Sequence, residues 1–262
     1  MNTNEILNNF YQNYDEENRL LSKYGYVEYM TTMKYIGKYL KEGMRILEIG
    51  AATGRYSHAL ARKGFKVDAV ELVEHNIEIF KANTKKGEDI TITQGNAMDL
   101  SDFDDNTYDI TLILGPLYHL FTEDDKLKAL REAVRVTKKG GVIFAAYCMG
   151  DASILLYGFR QGEIHNLIEK CMIDTETFDT FSKPFDIFEL HRKEDIEDLR
   201  SKLSVKHLHL LATDGYANHM REKLEEMDDE TYNLFLKYHL ATCERQDMLA
   251  YSNHTLDIFR KE

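Results

Sequence analysis

Residues 44–54, MRILEIGAATG, decide the fold that we expect of this chain. The apolar run Arg45–Ile49 predicts a short β-strand, and residues 55–63 predict a helix. Gly50 and Gly54 stand in the turn between them, where a residue without a Cβ atom lets the backbone turn sharply and approach a ligand closely. A strand, a tight glycine turn and a helix form the opening of a nucleotide-binding α/β unit.

Strand and helix patterns alternate after this turn. Apolar runs predict further strands at residues 66–71, 90–94, 108–114 and 142–147. Helical spacing predicts helices at residues 74–84 and 123–136. Strands that are separated by helices pair in parallel through right-handed crossovers, so we expect an α/β sheet with helices on both faces. Two more strands are predicted nearer the C-terminus, at residues 205–212 and 255–260.

The composition indicates a folded domain of enzyme size. Of the 262 residues, 43% are hydrophobic, which is enough for a large core, and 30% are charged. The net charge is −12, whereas a protein that binds a nucleic acid duplex usually presents a basic face. We therefore expect a small-molecule substrate rather than nucleic acid, and a monomer or a homodimer.

The cysteines and the length of the apolar runs indicate in which cellular compartment the protein is expected. The three cysteines are far apart and form no CxxC pair, so neither a disulfide framework nor a metal site is predicted. The N-terminal segment is polar and lacks the apolar core of a signal peptide. No run approaches the ~18 apolar residues of a transmembrane helix. These features predict a cytoplasmic protein without a membrane span.

Side chains that can bind a nucleotide follow the predicted strands. In an open parallel sheet, ligands bind beyond the carboxyl ends of the strands. Glu71 ends the second strand, where a carboxylate can accept hydrogen bonds from both hydroxyls of a ribose. Asn96 and Met98 follow the third strand and suit the edge and the face of a purine. After the fourth strand, backbone carbonyls near Leu114 can hold an ammonium group.

Five segments in this order, LEIGAATGRYSHALA, VDAVEL, TQGNAMDL, YDITLILGPLYHL and KKGGVIFAAY, resemble the class I S-adenosylmethionine-dependent methyltransferases. The resemblance covers about residues 40–150 and points to small bacterial enzymes similar to the ubiquinone/menaquinone-biosynthesis methyltransferases. It implies a Rossmann-like, mostly parallel sheet of seven strands in the order 3-2-1-4-5-7-6. In that order the seventh strand, here residues 255–260, is antiparallel, and a helical cap covers the sheet edge.

The same resemblance implies S-adenosylmethionine as cofactor, with S-adenosylhomocysteine as product. The residues implied for the methionine part are Glu48, Gly50, Ala51 and Gly54. Those implied for the ribose and the adenine are Glu71, Leu72, Asn96, Ala97 and Met98, and Leu114 is implied beside the sulfonium. Two positions depart from the family pattern: Ala52 replaces the middle glycine, and Asn96 replaces an acid. Neither change rules out cofactor binding.

The expected reaction is an in-line displacement at the methyl carbon, for which the protein brings the nucleophile close and excludes water. A hydroxyl nucleophile would profit from a general base, whereas an amine, a thiol or a stabilised carbanion needs none, and the sequence leaves these choices open. His119 and His239 have a suitable unperturbed pKa. Tyr118 and His119 follow the fourth strand, where a substrate pocket is expected. Tyr118, His119 and His239 are therefore the predicted catalytic residues.

We predict one methyltransferase domain over residues 1–262, built from four parts. These are a helical leader (1–42), a cofactor-binding core (43–148), a cap insertion (149–200) and a C-terminal part that completes the sheet (201–262). The leader and the cap, with the loop around residues 239–251, are expected to form a mostly helical lid over a small-molecule pocket. Their aromatic content and their position around the catalytic edge motivate this hypothesis.

Other functional classes stay open or fit less well. A nicotinamide-dependent oxidoreductase would carry G-x-G-x-x-G, but here Ala52 and Arg55 take two of the three glycine positions. A nucleic-acid base methyltransferase would carry Asn/Asp-Pro-Pro-aromatic after the fourth strand, where this chain has GPLY. A catalytically silent cofactor-binding or scaffold protein would keep the glycine turn and Glu71 while its substrate cavity was closed. A methyltransferase of RNA or protein is a further alternative.

Overall fold

A central sheet of eight strands organises the computed structural model, which describes residues 3–262. The strands are β1 Arg45–Ile49, β2 Lys66–Glu71, β3 Ile90–Gln94, β4 Tyr108–Ile113, β5 Thr137–Met149, β6 Leu190–His191, β7 Val205–Ala212 and β8 His254–Lys261. The α-helices are α1 Thr3–Asn13, α2 Glu16–Arg19, α3 Lys23–Tyr39, α4 Arg55–Ala61, α5 Glu74–Asn83, α6 Glu123–Val136, α7 Gly150–Ser153, α8 Ile164–Glu169, α9 Lys193–Ser201, α10 Arg221–Glu226 and α11 Asp229–Thr242.

The strands lie in the order β3-β2-β1-β4-β5-β8-β7, and β6 pairs with the end of β5. β1 to β5 pair in parallel, whereas β8 is antiparallel to both β5 and β7. This confirms the predicted order, in which β7 and β8 take the sixth and seventh places. The two-residue strand β6 is an addition, because two residues carry no alternating pattern from which a strand can be predicted.

Both faces of the sheet are buried. Successive side chains of a strand point to opposite sides, so one strand contributes to the apolar cluster on each face. In β1, Leu47 and Ile49 pack into one apolar cluster and Ile46 packs into another. Helix α6 covers one face with Leu127 and Leu130, which are almost fully buried. The sheet is thereby held rigid at the strand ends that carry the candidate site.

Strand β5 is longer than the predicted strand at residues 142–147. Residues 138–141, which precede the predicted strand and resemble a turn with their two glycines, belong to the strand. Gly140 has a φ of +80°, and the pairing with β4 shifts its register between Tyr108 and Ile110. A bulge inside the strand therefore takes up the glycines that resemble a turn in the sequence.

One charged pair is buried between β8 and the helix beside it. Asp257 is fully buried, and Arg200 of α9 donates a hydrogen bond from Nη1 to its Oδ1 at 2.6 Å. Burial raises the pKa of Asp257 to about 7, although the nearby guanidinium opposes this shift. A carboxylate inside a protein depends on such a partner.

The predicted N-terminal leader is helical where it is described, with α1, α2 and α3 in succession. Residues 1 and 2 of the predicted leader lie outside the described residues. Arg19 of α2 is tied to α3, since its Nη1 donates to Oε2 of Glu28 at 2.7 Å. Between residues 3 and 262, the structure contains no helix that is both long and apolar enough to cross a bilayer.

Candidate active site

A cavity of about 280 Å³, which we call the first cavity, lies where β1 to β4 end. Its wall includes nine of the ten residues predicted to bind the cofactor: Glu48, Gly50, Ala51, Glu71, Leu72, Asn96, Ala97, Met98 and Leu114. The tenth, Gly54, stands at the start of α4, just behind that wall. The topology thus brings together residues that lie up to 66 positions apart in the chain, from Glu48 to Leu114.

The turn after β1 has a left-handed backbone at Gly50, Ala52 and Gly54, with φ values of +73°, +47° and +91°. A Cβ atom on Gly50 would lie 2.6 Å from Cδ of Pro116, and one on Gly54 would lie 2.6 Å from Cδ2 of Phe80. Both glycines are therefore required by space as well as by backbone conformation. Gly50 also lies on the wall of the first cavity, where its backbone can approach a ligand closely.

Ala52 is strained at the middle of this turn, because a non-glycine residue in the left-handed region costs roughly 1–2 kcal/mol. We expect Ala52→Gly to raise the free energy of unfolding by about 0.5 kcal/mol, since the relieved strain exceeds the entropy that glycine adds to the unfolded chain. Urea denaturation measures the change. Ala61→Gly in α4 is the matched control, and it is expected to destabilise; equal losses in the two variants would contradict the strain at Ala52.

Glu71 connects β2 to the glycine turn. Its Oε2 accepts a hydrogen bond from the backbone N–H of Ala52 at 2.8 Å, and its Oε1 accepts one from Val73 at 2.8 Å. Burial raises the pKa of Glu71, while the backbone hydrogen bonds from Val73 and Ala52 lower it. Hydrogen bonds from the side chain of Asn76 and the backbone of Leu72 lower this pKa as well, and the carboxylate so held lies on the wall of the first cavity.

Glu48 is the other acid on the wall and is only 2% exposed. Its carboxylate accepts a hydrogen bond from the hydroxyl of Ser57. Burial raises its pKa to about 8, although the hydrogen bonds from Ser57 act in the opposite direction. Near neutral pH this carboxyl is therefore mostly protonated, and a cation placed beside it would favour its ionised form.

The residues after β3 and β4 are held by local hydrogen bonds. Oδ1 of Asn96 accepts from the backbone N–H of Met98 at 2.9 Å, which leaves the amide nitrogen as the donor available to a ligand. The hydroxyl of Tyr118 donates to the carbonyl of Leu114 at 3.0 Å. These bonds fix the loops that line the cavity.

His119 joins the leader to the cap. Its Nδ1 lies 2.9 Å from the carbonyl of Ile187, and its Nε2 lies 2.8 Å from the hydroxyl of Tyr11. Because a carbonyl only accepts, Nδ1 carries the hydrogen and Nε2 accepts from Tyr11. Burial lowers the pKa of His119 to about 4, so the ring is neutral near pH 7. Both of its nitrogens are engaged, and a role as base would require Tyr11 to leave.

A larger cavity of about 520 Å³, which we call the second cavity, lies next to the first. Residues of the leader, the cap and the C-terminal part form most of its wall. Among the residues that the structure describes, four line both cavities, namely Tyr11, Glu16, Arg19 and Tyr118. The two spaces therefore meet at one shared wall.

His239 is placed elsewhere. It is 4% exposed, lines neither of these two cavities, and its Nε2 lies 3.0 Å from the hydroxyl of Thr31. Helix α11 carries it towards α3 rather than towards the strand ends. Its ring also stands 3.0 Å from the position that a Cβ on Gly215 would take, which indicates close packing.

A group of ionisable residues on the second cavity was not predicted. Nδ1 of His254 lies 2.9 Å from Oδ2 of Asp214 and 3.4 Å from Oε2 of Glu28. His254 starts β8, Asp214 follows β7 and Glu28 lies in the first half of α3, so no spacing in the sequence reveals them. A histidine at the start of a predicted C-terminal strand was the one available signal.

Comparison with known proteins agrees with this arrangement. A family model described as a methyltransferase domain matches residues 47–145. A demethylmenaquinone methyltransferase of Staphylococcus aureus is 29% identical over 161 residues, which are 60% of this chain and 63% of that protein. One of Staphylococcus epidermidis is 31% identical over 165 residues, with the same two shares. The chain thus spans slightly less than two thirds of the length of these curated relatives.

Solved structures share the fold. A SAM-dependent methyltransferase of Thermotoga maritima matches with a TM-score of 0.59 and 19% identity over the whole of both chains. One of Methanosarcina mazei matches with a TM-score of 0.56 and 19% identity, over 87% of this chain and 96% of that one.

The sheet order and the cavity beyond the strand ends define a Rossmann-like α/β domain of the nucleotide-binding type. With the family match, they place residues 47–145 among the class I S-adenosylmethionine-dependent methyltransferases.

Proposed function

We propose that the protein transfers the methyl group of S-adenosylmethionine to a small-molecule acceptor. The observation that carries the proposal is the shared wall: one cavity has the residues expected for the cofactor, and a second cavity meets it at Tyr11, Glu16, Arg19 and Tyr118. An in-line displacement needs two ligands held in contact and shielded from water, and two adjoining cavities supply this arrangement.

The residues of the first cavity fit the cofactor. Gly50 lies on the cavity wall without a side chain, which supports close approach of a ligand at the methionine end. Glu71 would hold the ribose, and Asn96 and Met98 would flank the adenine. Glu48 would stand near the positively charged groups of the methionine part of the cofactor. When bound, S-adenosylmethionine supplies an electrophilic methyl group. The protein's own part is to orient both ligands and to exclude water.

The open second cavity favours an enzyme over a catalytically silent binding protein. A silent protein would keep the glycine turn and Glu71 while the acceptor space was filled, whereas a cavity of about 520 Å³ lies beside the cofactor residues. One chain supplies the residues of both walls, so a monomer or a homodimer suffices. Three free cysteines, Cys148, Cys171 and Cys243, support a cytoplasmic setting as part of the same proposal.

Calorimetric titration of the purified protein with S-adenosylhomocysteine tests the cofactor assignment. We expect one molecule to bind per chain. A panel of small acceptors with S-adenosylmethionine, scored by release of S-adenosylhomocysteine, then tests transfer. Binding without transfer to any acceptor would favour the silent alternative, and the absence of binding would contradict the proposal.

The affinity for S-adenosylhomocysteine is expected to rise about tenfold between pH 6.5 and 8.5. Glu48 has a pKa of about 8 because of its burial, so it becomes ionised only as the pH approaches that value. A carboxylate attracts the ammonium group of the ligand more strongly than a carboxylic acid does. Calorimetry across this range measures the change. In Glu48→Gln the affinity should change little with pH. If the affinity of that variant rose as it does in the wild type, the pH dependence would belong to another group.

A further inference from the structure

Arg221 places a positive charge on the wall of the second cavity. The residue is half-buried, and in residues 3–262 no carboxylate lies at salt-bridge distance from its guanidinium. Glu222, its neighbour in the chain, pairs with Arg160 instead. In a protein with a net charge of −12, a guanidinium that lines a cavity without an acidic partner is suited to bind an anionic ligand.

The guanidinium of Arg221 is held in one orientation. Its Nε donates to the backbone carbonyl of Asn218 at 3.2 Å, and its Nη2 donates to Oδ1 of the same residue at 3.1 Å. Its Cζ lies over the ring of Tyr24, 5.1 Å from the centroid. In the described part of the chain Nη1 has no partner, so the end of the guanidinium formed by Nη1 and Nη2 is free. Two parallel N–H groups at this end match the two oxygens of a carboxylate.

The other cations on this wall already have acidic partners. Arg19 donates from Nη1 to Oε2 of Glu28 at 2.7 Å. His254 donates from Nδ1 to Oδ2 of Asp214 at 2.9 Å. Although burial opposes it, the charge of Glu28 and the hydrogen bond to Asp214 raise the pKa of His254 well above its usual value, so this ring is a cation held by its own acids. Arg221 is therefore the cation that remains available to a ligand.

A buried amide on the same wall also lacks a partner. Asn253 is 7% exposed, and its Oδ1 is buried without a hydrogen bond. Buried polar atoms are nearly always hydrogen-bonded, so an unpaired one beside a cavity indicates a polar group on the ligand. An amide has both donor and acceptor atoms, so Asn253 can pair with a hydroxyl, an amine or an oxyanion. The second cavity thus offers polar as well as apolar contacts.

Aromatic rings form a further part of this wall. Phe10 stacks on Tyr14 with centroids 5.0 Å apart and meets Phe188 edge-on at 5.6 Å. Phe188 in turn lies 5.9 Å from Tyr118 of the shared wall. Ring faces and edges in this arrangement suit a flat, unsaturated ligand. Arg221 lines the second cavity and not the first, so an anion bound to it lies away from the cofactor residues.

We propose that the methyl acceptor carries a carboxylate, which Arg221 binds through Nη1 and Nη2 in the second cavity. This inference rests on the proposed function and adds the charged group by which the acceptor is recognised. The carboxylate anchors the molecule and is not itself methylated. A flat body lies along the aromatic rings, and the atom that receives the methyl group reaches the shared wall. Asp186, an acid of the same wall that accepts from the backbone N–H of Lys183 at 2.7 Å, repels an anion and so restricts the carboxylate further to Arg221.

Calorimetric titration with trans-cinnamate and with cinnamamide tests the proposal. The two probes share a flat shape, and only cinnamate is charged. We expect the wild type to bind cinnamate at least about tenfold more tightly than cinnamamide, since a bidentate charged pair is stronger than a neutral hydrogen bond. In Arg221→Gln the two probes should bind with equal affinity. Arg221→Lys keeps the charge without the two parallel N–H groups, so it should show a smaller preference for cinnamate than the wild type.

Arg245→Gln is the matched control, because Arg245 pairs with Asp247 at the surface and lines neither of the two cavities. It should keep the full preference for cinnamate. Equal binding of the two probes by the wild type, or failure of both to bind, would overturn the proposal. An undiminished preference in Arg221→Gln would overturn it as well. If circular dichroism shows that Arg221→Gln is unfolded, an undiminished preference in Arg221→Lys has the same meaning.

Each titration runs with and without S-adenosylhomocysteine, so that the two proposals fail separately. A preference for cinnamate that depends on Arg221, in a protein that does not bind S-adenosylhomocysteine, would contradict the proposed function alone. Binding of S-adenosylhomocysteine without a preference for cinnamate would contradict the present inference alone.

Discussion

Glu71→Ala is expected to weaken the binding of S-adenosylhomocysteine at least a hundredfold. The carboxylate would accept hydrogen bonds from the ribose hydroxyls, and a hydrogen bond to a charged group contributes about 1.5–3 kcal/mol. Loss of two such bonds corresponds to about 3 kcal/mol or more, and each 1.4 kcal/mol is a factor of ten. The same carboxylate also accepts hydrogen bonds from the N–H groups of Ala52 and Val73, so the substitution removes these contacts of the glycine turn as well.

Calorimetry with the wild type, Glu71→Ala and Glu71→Gln separates these two contributions. The glutamine side chain keeps the shape and one acceptor oxygen, so Glu71→Gln should bind more tightly than Glu71→Ala and more weakly than the wild type. Glu78→Ala in α5 is a control, because Glu78 is exposed and lies off the wall of the cavity. If Glu71→Ala bound as tightly as Glu78→Ala, the ribose assignment would be wrong.

Arg200→Met is expected to reduce the free energy of unfolding by about 3–5 kcal/mol at pH 8, because it leaves the buried carboxylate of Asp257 without its partner. The loss should be much smaller at pH 5. The pKa of Asp257 in the folded protein is raised to about 7, so at pH 5 the group is protonated and carries no charge that needs a partner. Between about pH 4 and 7 the folded state binds the extra proton, so this residue lowers stability as the pH rises.

Urea denaturation of the wild type and of Arg200→Met at both pH values measures the effect. Lys202→Met is the matched control on the same helix end: Lys202 pairs with Asp198 at the surface, and its loss should leave the unfolding free energy essentially unchanged. A loss in Arg200→Met that is equal at pH 5 and pH 8 would show that packing, rather than the charge of Asp257, is responsible.

The strands and helices were accessible to sequence reasoning because the patterns that predict them are local. β7 and α6 begin and end where the patterns of residues 205–212 and 123–136 predict them. Alternating apolar residues and caps such as Thr122 act within a few positions of the chain, and the order of the strands followed from the family resemblance. The glycine turn likewise carries its signal in Gly50 and Gly54 themselves.

The second cavity was less accessible because its parts meet only through tertiary packing. Glu28, Asp214 and His254 are joined by contacts of 2.9 and 3.4 Å across three separate segments. His239, predicted to be catalytic on its residue type, packs instead against Thr31 of α3. Residue type alone does not tell which face of α11 is turned towards the strand ends.

The wall of the second cavity comes almost entirely from outside the segment that matches the family model. Of the residues that line the second cavity, Tyr118 alone falls within residues 47–145, the segment that matches the family model. In evolutionary terms, the proposed acceptor site can diverge through the leader, the cap and the C-terminal part while residues 47–145 keep the family pattern. Similarity within residues 47–145 therefore carries information about the shared chemistry and almost none about the molecule that receives the methyl group.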